Sequence, residues 1–155
     1  MLFFSIAALV LITDQVTKFL IRTNLTPGQS IPEEGRFRLS YSTNPGGVFG
    51  LPINPTFALI LALIVAALII WLYLRWLYRG NRLLRLGLGL ILGGAVGNLI
   101  DRIRFGVVTD FIDVRLWGDF HWPAFNLADA SLTIGIFILA FSLFSLFPQP
   151  KAKIS

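Results

Sequence analysis

The apolar positions of this chain fall in four unbroken runs, at 2–21, 57–78, 83–100 and 128–147, separated by Pro, Gly or clustered charge. A hydrocarbon layer of about 30 Å is crossed by about 20 helical residues rising ~1.5 Å each. The runs match that length, so the pattern predicts four transmembrane helices. Run 2–21 lacks the basic start and small-residue cleavage site of a secretory signal, and it carries Asp14 and Lys18 inside. It is read as a permanent span.

Between the runs the period changes. Arg36-Phe-Arg-Leu-Ser-Tyr41 alternates as a strand does, and Asn44-Pro-Gly-Gly47 must turn. A strand edge cannot face hydrocarbon, because its backbone groups would go unsatisfied. The expected fold is therefore an all-α membrane protein with a small β-sheet on its outer surface, organised as a single domain over 1–155. Arg75, Arg79, Arg82 and Arg85 crowd the short link between the second and third runs, and Lys151 and Lys153 follow the last. Cations favour the cytoplasmic side, which places both termini there and leaves connections 22–56 and 101–127 outside.

Composition narrows the chemistry. With 55% hydrophobic and 14% charged residues and a mean hydropathy of +0.76, the chain is not an ordinary soluble domain. The net charge of +5 sits at the ends of apolar runs, so membrane topology accounts for it and a nucleic-acid partner is not expected. The absence of cysteine and the single histidine, His121, exclude a thiolate nucleophile, a disulfide and a multi-histidine metal cluster. No His-Glu-x-x-His occurs, and neither a metal nor another cofactor is expected.

A charged side chain near the centre of a span costs roughly 2.5–3.5 kcal/mol, so each one calls for a partner or a role. Asp14 and Lys18 lie one turn apart on one helical face, about 20 to 26 Å from the cytoplasmic end. They either pair to anchor the span or brace a site. Gly89, Gly93 and Gly97 repeat every four residues and allow another helix to approach closely, while Gly94, Asn98, Asp101 and Arg102 form a polar stripe on the neighbouring face. Arg102 either snorkels or pairs with Asp101. Asp129 follows Asn126 by three residues, as in a capping box. Asp110, amid Val, Phe and Ile, has no evident local partner. Asp113 and Asp119 read as solvated loop acids, and His121 as a loop residue within an aromatic belt of Trp117, Phe120 and Trp122. If Asp110 and Asp129 meet, like charges at close range cannot both ionise, and the pair holds one proton. Such a pair is an acid and a base together, sufficient for peptide hydrolysis without a metal or covalent intermediate.

Five segments carry a resemblance along nearly the whole chain: Asp14-Gln-Val-Thr-Lys18, Asn44 with the Gly-Gly-Val-Phe-Gly50 that follows, Gly93-Gly-Ala-Val-Gly-Asn-Leu-Ile-Asp-Arg102, Gly106-Val-Val-Thr-Asp-Phe111 and Trp122-Pro-Ala-Phe-Asn-Leu-Ala-Asp129. In this order they resemble the lipoprotein signal peptidase (signal peptidase II) family of the bacterial inner membrane. The resemblance implies an aspartic endopeptidase that removes the signal peptide of a prolipoprotein, cutting before the diacylglyceryl-modified cysteine. It implies Asp110 and Asp129 as the catalytic pair, with Asp14, Lys18, Asn44, Gly94, Asn98, Arg102 and Asn126 supporting the site or contacting substrate. A monomer in membrane lipid is expected. Pro45 and Val48 depart from the family pattern, which puts the shape of the substrate-covering loop in question. The competing reading is a small transporter or proton-relay subunit using Asp14, Lys18, Asp101 and Arg102, and it requires polar groups at the bilayer midplane.

Overall fold

The computed structural model of the protein describes residues 1–46, 54–76 and 81–146. Gly47 of the expected turn, Val48 of the loop that follows it, Arg79, and the tail lysines Lys151 and Lys153 lie outside the described residues. Four helices, α1 (Leu2–Asn24), α2 (Pro55–Trp76), α3 (Arg82–Phe105) and α4 (Leu127–Leu146), are each long and apolar enough to cross a membrane. They coincide with the four runs, with one substantive difference. α3 continues to Phe105, beyond the apolar run that ends at residue 100, and carries Asp101 and Arg102 as the polar stripe expected. Polarity did not end the helix, because Asp101 is fully buried and meets cations from α1. The stop comes at Gly106, whose left-handed φ of +73° suits a residue without Cβ.

α3 lies at the centre: 61% of its apolar stretch is buried, against 17–22% in the other three helices. Its glycines make that possible. A Cβ on Gly93 would stand 2.7 Å from the Ala7 carbonyl oxygen of α1, and one on Gly94 would stand 2.5 Å from the Ala128 carbonyl oxygen of α4. The glycine seam expected to admit another helix thus admits α1, and the adjacent face admits α4. At the other end of the bundle Phe3 stacks on Tyr73 of α2 with 3.9 Å between ring centroids, over Leu84, Leu88 and Ile91. Outward faces carry large apolar side chains such as Leu9, Ile12, Ile64, Phe137 and Phe141. In water such a surface would be an aggregation liability, whereas hydrocarbon suits it.

Four antiparallel strands form one sheet in the order β1 (Ser30–Ile31), β2 (Phe37–Asn44), β3 (Val108–Trp117), β4 (Phe120–Phe125). β2 is the expected strand, extended to Asn44. β3 and β4 were not expected. The first half of β3 is buried on both faces and so shows no alternation, while β4 contains Pro123, which an edge strand tolerates. The sheet packs on the helices through Ile21, Leu25 and Phe111.

The hairpin also corrects two readings. Asp113 is a buried strand residue, ion-paired to Arg38 of β2 and 2.7 Å from the His121 Nδ1 of β4. His121 is accordingly a strand residue in a cross-strand cluster and not a loop residue. Hydrogen bonds from Arg38 and His121 outweigh burial and hold the Asp113 carboxyl below the usual carboxylate range. Asp119 is fully exposed to solvent as expected and pairs with Arg115 at 3.8 Å, and the Trp117 and Phe120 rings stack across the turn.

Candidate active site

The polar residues of three helices and two strands converge where α1 ends and α4 begins. From α1, Asp14, Lys18 and Arg22 form a row at four-residue spacing. Lys18 is fully buried, and its ammonium lies 2.9 Å from Asp14, 3.6 Å from Asp101 and 2.8 Å from the Asn98 Oδ1. A buried lysine needs such compensation. The two readings of Asp14 and Lys18 therefore hold together: they pair, and the pair is built into the polar cluster. Asp14 also accepts from the Ala128 amide at 2.9 Å, so a carboxylate of α1 satisfies a free N–H in the first turn of α4.

The capping box at the start of α4 is formed. The Asp129 amide donates to Asn126 Oδ1 at 2.9 Å, and the Asn126 amide donates to Asp129 Oδ2 at 3.2 Å. The Nδ2 of the same fully buried side chain donates to Asp110 Oδ1 at 2.6 Å. One residue thereby bridges the two carboxylates. Asn98 donates to Asp129 Oδ1 at 2.7 Å, and Asn44 donates to Asp110 Oδ2 at 3.2 Å. Asn44 reaches Asp110 because it pairs with Val108, which places it diagonally across the strands from Asp110. The Asn44 Oδ1 in turn accepts from the Gly46 amide, which orients the side chain.

Asp110, which lacks a sequence-local partner, thus has two partners from distant segments. It is 3% exposed, and burial together with the charge of Asp129 pushes its pKa up to about 7 against the opposing hydrogen bonds of Asn44 and Asn126. Asp129 is partly buried. The formal charges of Asp14, Lys18, Arg22, Asp101 and Arg102 with the two aspartates cancel when the pair holds a single proton. A low-dielectric site favours that state.

Arg102 does not pair with Asp101. Adjacent residues on a helix point about 100° apart, and Arg102 instead donates to the Asn98 carbonyl oxygen at 3.4 Å, leaving its buried Nε without a hydrogen bond among the described residues. Gly94 acts as a close-packing position against α4. Three members of the cluster were missed in the sequence: Gln15, Arg22 and Thr109. Gln15 donates to Asp101 at 3.2 Å and to the Gly97 carbonyl oxygen at 3.1 Å. The row Asp14, Lys18, Arg22 was a signal for Arg22, since it extends one face by a further turn. Among the described residues, no three Asp, Glu or His side chains are grouped to hold a metal ion.

Four helices long and apolar enough to cross a membrane, packed around a polar cluster with two bridged carboxylates, fit a multi-pass membrane protein. The family described as Signal peptidase (SPase) II matches residues 6–145, and the chain belongs to that family of membrane peptidases. It is 47% identical over 142 residues to a lipoprotein signal peptidase of Moorella thermoacetica, covering 91% of each chain. It is 44% identical to one of Desulforapulum autotrophicum, covering 88% of this chain and 87% of the other. A solved structure described as a bacterial membrane enzyme, determined in meso at 2.3 Å, superposes with a TM-score of 0.79 at 32% identity, over 97% of this chain and 92% of its own. The transporter reading finds no support in these relatives.

Proposed function

We propose that this protein is an aspartic endopeptidase of the bacterial inner membrane that removes signal peptides from prolipoproteins, cutting before the diacylglyceryl-modified cysteine. The observation that carries the catalytic type is the Asp110–Asn126–Asp129 bridge, with every carboxylate oxygen held by a donor. Asp129, the more exposed of the two, is the base that takes a proton from water. Asp110 carries the shared proton on Oδ2, the side of its longer 3.2 Å hydrogen bond, and donates it toward the scissile carbonyl oxygen. The resulting gem-diol collapses as the proton taken by Asp129 passes to the leaving nitrogen, the C–N bond breaks, and one hydroxyl returns its proton to Asp110, which restores the pair. Asn98, Asn126 and Asn44 hold the carboxylates, while Asp14 and Lys18 fix α4 and Asn98 in place.

The site faces the outer membrane surface, and both termini face the cytoplasm. Arg75 and Arg82 near the α2–α3 connection, at the opposite end of the bundle, support this orientation. The sheet then lies at the outer interface, level with the lipidated residue of a membrane-spanning substrate. Residues 1–155 act as one monomeric domain in lipid. The test is cleavage of a diacylglyceryl-modified prolipoprotein by purified protein in lipid, beside folded Asp110→Asn and Asp129→Asn. Loss of cleavage in both supports the pair, and near-normal activity in either excludes it.

A further inference from the structure

Arg22 lies at the last turn of α1, a position that the bridge between the aspartates does not use. Its guanidinium is held on three sides. Nη1 is 3.4 Å from both oxygens of Asp101, the same nitrogen donates to Thr109 Oγ1 at 2.9 Å, and the Phe105 ring lies 4.6 Å from its Cζ. Asp101 is fully buried, and its Oδ2 accepts from the Thr109 amide at 3.0 Å. Both the amide and the side chain of the residue preceding Asp110 are therefore tied to one ion pair, which joins α1, α3 and β3. The Thr109 carbonyl completes the fixation by accepting from Asn126 at 3.3 Å.

We propose that Arg22, acting through Asp101 and Thr109, is a positioning residue for Asp110: it sets where the start of β3 sits and hence how the Asp110 carboxyl faces Asp129. This rests on the reading of Asp110 as catalytic. Three anchors on the preceding residue leave Asp110 little freedom to rotate, and a displacement of ~1 Å at a reacting group can cost about a hundredfold in rate. Asp101 lends itself to this role because the Oδ2 that accepts from the Thr109 amide also lies 3.6 Å from the Lys18 ammonium, which offsets its buried charge.

The test is a double-mutant cycle on Arg22→Gln and Thr109→Val, with Thr109→Ser as the conservative variant and Asp110→Asn as control, assayed for kcat, KM, pH profile and thermal midpoint. Each single variant is expected to lose about tenfold or more in kcat with KM within about twofold of wild type, and the double variant to be no worse than the poorer single one. Thr109→Ser restores the hydroxyl and recovers most of kcat. The alkaline limb of the pH profile moves to lower pH in the impaired variants, because a carboxyl farther from Asp129 releases its proton more readily. If Asp110→Asn is inactive while Arg22→Gln and Thr109→Val keep wild-type kcat, the positioning role fails and the catalytic reading stands. Additive losses that follow the thermal midpoint also overturn it, since they mark a merely structural contact. An active Asp110→Asn overturns both readings.

Discussion

The Asn126 side-chain amide lies 2.6 Å from the Asp110 carboxylate, while the backbone amide and side-chain oxygen of the same residue hold Asp129. Asn126 is thus a helix cap and a bridge between the two carboxylates at once, and the two roles separate by substitution. Asn126→Ser retains a capping oxygen but does not reach Asp110. It should fold with a thermal midpoint near wild type and lose at least about a hundredfold in kcat, on the scale of removing one preorganised donor. A variant with unimpaired cleavage would remove the bridge from the mechanism.

The elevated Asp110 pKa makes stability depend on pH. In the folded state the carboxyl binds its proton more tightly than in the unfolded chain, so between the ordinary carboxylate range and about 7 the native state holds more protons. Stability therefore falls as pH rises through that window. Denaturation in detergent from pH 5 to 8 should show this decline, and Asp110→Asn should flatten it. Cleavage should fall on the alkaline side near the same value, as the pair loses its shared proton.

Asp14 and Lys18 are a fully buried ion pair. Removing either partner alone, by Asp14→Leu or Lys18→Met, strands the other charge and should destabilise the protein by about 3–5 kcal/mol. Replacing both together should recover part of that loss, though not cleavage, because the Asn98 and Ala128 contacts are gone. Thermal unfolding of the three variants measures the coupling.

Gly94→Ala tests the helix seam. On an isolated helix this change gains about 1 kcal/mol. Here the added methyl would stand 2.5 Å from both the Ala128 carbonyl oxygen and Ser131 Oγ, so overpacking should reverse the sign and cost about 1–3 kcal/mol. The residues pushed away carry Asp129, and activity should fall with stability. An Ala variant more stable than wild type would show that α4 does not rest on this glycine.

Much of the architecture was legible in the chain because it depends on local properties. Hydropathy over about 20 residues marks a span whatever packs beside it, and the four-residue glycine spacing of α3 announced a close helix contact. The Asn126–Asp129 cap was equally local, since both groups sit on one turn. β3 and β4 were hidden, because a strand covered on both faces has no alternation and Pro123 disguised the other. Asp113 and His121 looked like loop residues for the same reason.

What only the tertiary structure decided is the company each polar group keeps. Asp14 caps a helix that begins over a hundred residues later, Asn44 reaches Asp110 across paired strands, and Arg22 holds the residue before Asp110. Charge and hydropathy say that a buried ionic group must be compensated, but not by which partner. That choice follows from the distance at which the glycine seams let α1 and α4 approach α3, and from the register of β2 against β3.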